Sequence, residues 1–132
     1  MPAARYDLHI EQGATYYKPI IIKVSNVPFD LTNWTATGQI RKTHRSDTII
    51  AEFSFDVPTT GAALTDGAMT IKLTPLQTGA IVCGELETDS RSKYVYDIEL
   101  THSGTGGGFA AGEIKRLLEG FAYVSPEVTR EP

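Results

Sequence analysis

The side chains that could support chemistry are few and scattered in this sequence. His9, His44 and His102 lie far apart, and Cys83 is the only cysteine. A protein metal site needs several such ligands converging on one point, and a single cysteine cannot form an internal disulfide. We therefore expect no metal and no cofactor, and we expect the three histidines to be exposed surface residues.

Asp97 and Glu99 are a pair of carboxylates whose spacing is compatible with catalysis. Two residues apart on a strand, they share a face and lie about 7 Å apart, and glycosidases use paired carboxylates. The outward face of a strand is also commonly charged, and Lys115 or Arg116 on the neighbouring strand could pair with these acids. We favour this second interpretation, assign no catalytic residue and expect no enzyme.

Composition argues against nucleic-acid and membrane partners. The 132 residues carry a net charge of -4, whereas nucleic-acid binding requires a basic face. The densest basic cluster, at residues 41–45, lacks interleaved aromatic residues and is interpreted as a solvated loop. No apolar run approaches the ~20 residues that span a bilayer. The length predicts a single domain over residues 1–132, with extended N- and C-terminal tails.

Alternating apolar and polar residues recur along the whole chain. The clearest run covers residues 49–57, and others lie at 6–11, 34–40, 69–73 and 93–100. Residues 15–24 are rich in β-forming side chains, and residues 113–124 supply a second strand beside the run at 93–100. Such alternation is typical of half-buried strands, and turn signals at short spacing separate the runs. The pattern predicts an all-β protein with a single immunoglobulin-like β-sandwich of about seven strands. An up-and-down barrel is the alternative.

Local signals refine this prediction at two places. Pro19 has no N–H to donate, so the strand that contains it should lie at a sheet edge or hold a bulge. Thr74 is suited to cap a helix and Pro75 to occupy its first position, which predicts one or two helical turns. The residues predicted to face the core are Leu8, Ile10, Ile21, Trp34, Ile40, Phe53, Phe55, Ile71, Leu73, Tyr96, Ile98, Leu118 and Val124.

The last two strands are predicted to form an antiparallel hairpin with a glycine-rich tip. Glycines lose much backbone entropy when they become ordered, and the C-terminal tail has Val128 as its only large apolar residue after Val124. We expect both segments to be mobile in the isolated protein and ordered against a neighbouring subunit. The candidate docking residues are Gly104, Gly106, Gly107, Gly108, Pro126, Val128 and Arg130.

Several segments, taken in order, resemble a group of small tailed-phage proteins. They are RYDLHIEQGAT at residues 5–15, FDLTNWTA at 29–36, GAMTIKLT at 67–74, YVYDIEL at 94–100, LLEG at 117–120 and VSPEVTR at 124–130. The chain is similar over nearly its whole length to the immunoglobulin-like β-sandwich modules of phage virions, including the N-terminal domains of upper baseplate proteins.

This resemblance implies a non-catalytic structural protein of the virion tail, baseplate or fibre-attachment region, synthesised in the host cytoplasm. Its partners would be other virion proteins, arranged in multiple copies about a symmetry axis. The residues themselves leave an alternative function open, a carbohydrate- or cell-surface-binding module with an aromatic platform. The tyrosines available for that platform are Tyr6, Tyr16, Tyr17, Tyr94, Tyr96 and Tyr123.

Overall fold

The computed structural model describes residues 4–56, 66–82, 92–104 and 111–126. Strands account for 58% of it and helix for 5%, so the predicted all-β class is confirmed. The strands are β1 (Ala4–Arg5), β2 (Leu8–Glu11), β3 (Tyr16–Ile21), β4 (Lys23–Val24), β5 (Val27–Pro28), β6 (Trp34–Arg41), β7 (Ala51–Glu52), β8 (Ser54–Asp56), β9 (Ala68–Leu73), β10 (Ser92–His102) and β11 (Ile114–Ser125), and the helix is α1 (Pro75–Gly79).

The larger sheet has six strands in the order β1–β11–β10–β6–β7, with β2 also paired to β11. The antiparallel pairing of β10 with β11 confirms the predicted hairpin. On the other edge of β11, β1 and β2 both run parallel to it, with Ala4 opposite Leu118 and Leu8 opposite Ala122. The first strands of the chain therefore lie beside its last strand.

The N-terminal segment is interrupted between β1 and β2, where it passes Gly120 of β11. The Tyr6 N–H donates to the Glu119 carbonyl at 3.0 Å, and the Asp7 carboxylate accepts a hydrogen bond from the Phe121 N–H at 3.0 Å. A Cβ at residue 120 would contact the Tyr6 carbonyl oxygen and would lie 2.9 Å from Oδ1 of Asp7. Glycine leaves the room that this close passage needs, at the break between β1 and β2.

A β-bulge in β11 changes which residues face the core. The register moves from Ile98 opposite Leu118 to Glu99 opposite Arg116, so Leu117 is the extra residue. Because a bulge breaks the strict alternation of a strand, two successive leucines turn towards the interior. Leu117 is 7% exposed and Leu118 is partly buried, whereas the predicted core contained Leu118 alone.

The smaller sheet is antiparallel and has the strand order β3–β9–β8. Pro19 lies in its edge strand β3, opposite Thr70, so the predicted edge position is confirmed. A separate short hairpin pairs β4 with β5. The chain passes from the larger to the smaller sheet at Phe53, between β7 and β8, where the Phe53 N–H donates to the Gly38 carbonyl at 3.0 Å.

Buried residues of both sheets form one hydrophobic cluster. Phe55 packs at its margin, and Ile21, predicted to be in the core, is 64% exposed while Ile22 is buried. That prediction was wrong because residues 20–22 are three consecutive isoleucines, which carry no alternation of their own. The predicted core residues that are buried are Leu8, Ile10, Trp34, Ile40, Phe53, Ile71, Leu73, Tyr96, Ile98 and Val124.

The helix α1 begins at the predicted cap. Oγ1 of Thr74 accepts a hydrogen bond from the Gln77 N–H at 3.1 Å, and Oε1 of Gln77 accepts one from the Thr74 N–H at 2.9 Å, which completes a capping box. Further along the helix, Thr78 is fully buried. Its hydroxyl donates to the Ala14 carbonyl at 2.8 Å and accepts from the Gly13 N–H at 3.1 Å. The helix thereby fixes the turn between β2 and β3.

We expect Thr78→Val to lower the free energy of unfolding by about 1–3 kcal/mol, because the substitution keeps the side-chain shape but removes both hydrogen bonds to this turn. Urea unfolding followed by Trp34 fluorescence measures the loss. The control is Thr35→Val, which changes an exposed threonine of β6 and should alter stability by less than about 0.5 kcal/mol. Equal effects of the two substitutions would contradict the role given to the Thr78 hydroxyl.

Candidate docking surfaces

The outer face of the larger sheet contains a polar groove of about 510 Å³. Side chains of β6 and β10 that alternate with the core residues point into it, and β11 adds charged residues on both sides of its bulge. The groove includes Thr37, Gln39, Arg41, His44, Asp97, Glu99, Arg116 and Glu119.

Arg116 lies at the centre of the charges in the polar groove. Its guanidinium nitrogens lie 3.7 Å from an Asp97 oxygen and 3.8 Å from a Glu119 oxygen, so the predicted pairing with Arg116 is confirmed for Asp97. Lys115 lies instead 3.4 Å from Glu113. The side chains of Arg116 and Asp97 are 54% and 42% exposed, and ion pairs this exposed contribute about 0–1 kcal/mol. Asp97, Arg116 and Glu119 therefore form a solvated ion-pair network.

The three histidines lie in different environments. His9 and His44 are exposed, as predicted, but His102 is 3% exposed and its ring meets Trp34 edge-on, with centroids 4.8 Å apart. The expectation of an exposed residue 102 was wrong because β10 continues past Leu100, and His102 shares the inward parity of that residue. Within the described ranges, no three His, Cys, Asp or Glu side chains are placed to hold a metal ion.

Aromatic rings and cations share the other end of the same outer face. The Phe121 ring centroid lies 4.8 Å from Cζ of Arg5 and 4.6 Å from Nζ of Lys93, within cation–π distance. His9 stacks on Tyr123 with ring centroids 5.5 Å apart. We call these five residues the aromatic–cation patch. Sequence reasoning missed it because its members come from four strands that only the sheet register brings together.

The tyrosines do not form the single platform considered from the sequence. Tyr94 and Tyr96 are buried, 7% and 3% exposed, and their hydroxyls donate to backbone carbonyls. Tyr17 lies on the smaller sheet and Tyr123 on the larger one. A platform that uses all six tyrosines is therefore contradicted by their positions.

The half-buried Tyr16 and the buried Tyr96 should make folding stability fall at alkaline pH. Burial, with a further contribution from Tyr6, raises the pKa of Tyr16 to about 12, and burial also raises the pKa of Tyr96. An unfolded tyrosine ionises near pH ~10. Because the folded values are higher, this stability is present below about pH 10 and is lost as the pH rises from there towards the folded values.

Urea unfolding at about pH 8 and about pH 11 should show the lower stability at the higher pH. The Tyr96→Phe variant should lose less stability between the two conditions than the parent protein. Tyr17 is 62% exposed, so Tyr17→Phe should behave like the parent. Identical losses in all three proteins would show that Tyr96 does not contribute to the pH dependence.

Two of the predicted docking residues lie in the described part of the chain. Gly104 follows β10 at the hairpin end, next to Ser103, whose N–H donates to the Asn33 carbonyl at 2.8 Å. Pro126 follows β11 and is half-buried. These two residues are at opposite ends of the β10–β11 hairpin, so they do not form one site. The other candidates, Gly106, Gly107, Gly108, Val128 and Arg130, lie outside the described residues.

A row of exposed side chains on the edge strand β3 was not predicted as a surface. Tyr17 is 62% exposed and Ile21 is 64% exposed, and the exposed Pro19 lies between them. We call these three residues the β3 strip. The sequence carried a signal for this surface. Apart from Lys18, residues 16–22 are apolar on both faces of the strand, whereas a strand with one buried face needs apolar residues on that face alone.

No family model matches the chain, and no curated protein is similar to it. Among the residues that the structure describes, no helix has the length and apolar character to cross a bilayer.

Proposed function

We propose that the chain is a structural component of a tailed-phage particle, an adaptor of the tail, baseplate or fibre-attachment region that docks to other virion proteins. The ordered resemblance of six segments to phage β-sandwich modules supports this proposal. The structural observation that carries it is the β3 strip. Tyr17 and Ile21 expose 62% and 64% of their surface on one edge strand, and contiguous exposed apolar residues are typical of protein contact sites.

We further propose that the two sheets form one immunoglobulin-like β-sandwich. Counting β1 with β2 and β7 with β8 as single runs gives seven runs beside the β4–β5 hairpin, which supports a sandwich of about seven strands. The single hydrophobic cluster shared by both sheets supports this arrangement. The passage of residues 51–56 from one sheet to the other also supports it.

The second candidate function is a carbohydrate- or cell-surface-binding module. The observation that favours it is the group of aromatic rings on the outer face, where His9 stacks on Tyr123 and Phe121 lies 6.1 Å from Tyr123 between ring centroids. His9 is exposed and the other two rings are half-buried, so part of each is accessible to a sugar. Glycan-array binding by the isolated protein that is lost in Tyr123→Ala would support this candidate. If the protein binds no glycan and is present in purified particles, the carbohydrate-binding candidate is rejected and the structural role is supported.

Quantitative mass spectrometry of purified particles tests the structural proposal. We expect the protein at a fixed copy number that fits the symmetry of the tail or baseplate. The double substitution Tyr17→Thr and Ile21→Thr keeps β-forming residues on β3 but removes its apolar contacts. It should reduce incorporation about tenfold or more, as expected for a loss of about 1.4 kcal/mol or more of interface energy.

The matched control is Ile114→Thr, which removes an apolar side chain that is 60% exposed on β11. Both variants should melt within a few degrees of the parent protein because exposed positions contribute little to stability. Equal incorporation of the β3 variant and the control would overturn the role of the β3 strip. Absence of the parent protein from particles would overturn the proposed function itself.

A further inference from the structure

A second concavity, of about 230 Å³, opens between β1 of the larger sheet and β3 of the smaller one. We call it the edge groove. Its apolar walls include Tyr6, Leu8, Ile20, Ile21, Leu117 and Leu118. An apolar protein cavity of ~150 Å³ is large enough to bind benzene. The edge groove therefore has room for one aromatic or branched aliphatic side chain.

The charged residues that line the edge groove are both lysines, Lys18 and Lys23. In the described part of the chain, neither ammonium has a carboxylate within 4.0 Å. Nζ of Lys18 lies 5.3 Å from the centroid of the Tyr6 ring, another lining residue. A ligand in this groove therefore contacts apolar walls and two positive charges. An apolar group would fit the walls, and carboxylates beside that group would be complementary to the two lysines.

The backbone around the edge groove can accept an extended segment. β1 is hydrogen-bonded to β11 on one side, and within the described residues no strand pairs with its other edge. Ala4 of this strand lines the groove, and an extended peptide can add to an unpaired strand edge. β3 is the less suitable template because Pro19 has no N–H to donate.

From these observations we infer that the edge groove binds an extended segment of a neighbouring protein, one that carries a single large apolar side chain flanked by carboxylates. The apolar side chain enters between Ile20 and Leu118, and the carboxylates pair with Lys18 and Lys23. The inference rests on the proposed docking role, to which it adds the place of contact and the chemistry of the partner.

The test uses a pentapeptide, acetyl-Glu-Thr-Phe-Thr-Glu-amide, with the isolated full-length protein. In ¹H–¹⁵N NMR titrations we expect saturable shifts at Ala4, Ile20 and Leu118. A second peptide with alanine in place of phenylalanine should bind at least about tenfold more weakly, because it lacks the apolar anchor. A third with lysines in place of both glutamates should also bind more weakly, and this difference should shrink as salt is added.

Two protein variants locate the contact. Ala4→Trp places an indole in the edge groove, and we expect it to abolish saturable binding of the phenylalanine peptide. Lys18→Glu with Lys23→Glu should reverse the preference, so that the lysine peptide binds better than the glutamate peptide. If the double variant unfolds, the single variant Lys23→Glu, at an exposed residue, tests the same preference: it should weaken binding of the glutamate peptide more than that of the lysine peptide.

The matched control is Lys42→Glu with Arg45→Glu, which makes the same change in net charge on an exposed loop and should leave peptide preference unchanged. Unaltered binding in Ala4→Trp, or no saturable shifts for the first peptide, would overturn the inference. The assay contains no particle components. If the protein enters particles but does not bind the peptide, only the inference about the edge groove is refuted. If it binds the peptide but does not enter particles, only the proposed virion role is refuted.

Discussion

Replacing Phe53 with alanine is expected to lower the free energy of unfolding by about 3–5 kcal/mol. The ring is 6% exposed and lies where the chain passes from one sheet to the other. It meets Tyr96 edge-on with centroids 6.0 Å apart, and a Cβ added at Gly38 would lie 3.0 Å from its Cδ2 atom. Truncation would leave a cavity between the sheets that these neighbours cannot fill without moving.

Chemical denaturation at neutral pH, followed by circular dichroism, measures this loss. Tyr17→Ala serves as the control because it removes an aromatic ring of similar size that is 62% exposed. It should cost about 1 kcal/mol or less. A loss below about 1 kcal/mol for Phe53→Ala would mean that its ring is not enclosed by both sheets.

Gly120→Ala is expected to destabilise the protein by about 1–3 kcal/mol or more, although it adds one methyl group. The new Cβ would collide with the Tyr6 carbonyl oxygen, which accepts the hydrogen bond from the Tyr96 hydroxyl. It would also lie 2.9 Å from Oδ1 of Asp7. Relief of both contacts requires β1 and β2 to move away from β11, with loss of their hydrogen bonds.

Gly79→Ala is the matched control. A Cβ at Gly79 would have its nearest neighbour at 3.8 Å, an ordinary contact. Since alanine favours helix over glycine by about 0.5–1 kcal/mol, this variant should be as stable as the parent or slightly more stable. Hydrogen exchange should show faster exchange of β11 amides in Gly120→Ala only. Parent-like exchange in that variant would contradict the close passage at residue 120.

Much of the fold follows from local patterns. Alternation located β2, β6, β9 and β10, Pro19 marked an edge, and Thr74 marked the start of the helix, since each signal depends on the residues next to it. Alternation alone did not separate β7 from β8, which belong to different sheets, and it did not indicate the β4–β5 hairpin. Leu117 was missed because its inward position depends on a bulge, and a bulge is a property of the pairing between strands. His102 was placed wrongly for a related reason, because the end of β10 is set by its pairing with Trp34 across the sheet.

The candidate surfaces were less accessible to sequence reasoning. The pairing of Asp97 with Arg116 could be anticipated because both residues lie on consecutive strands of a hairpin. The aromatic–cation patch and the edge groove could not, since each combines residues from the beginning of the chain with residues of other strands. Adjacency of Arg5 to Phe121, or of Lys18 to Tyr6, requires the sheet topology.

The parallel pairing of β1 and β2 with β11 has a mechanical consequence. A pull applied upstream of Ala4 and downstream of Ser125 acts in opposite directions along adjacent parallel strands. The hydrogen bonds of this ladder are then loaded together, in shear, instead of opening one after another as in a peeled hairpin. Rupture then requires several of them to break together, so this ladder would resist a pull applied to the segments on either side of it.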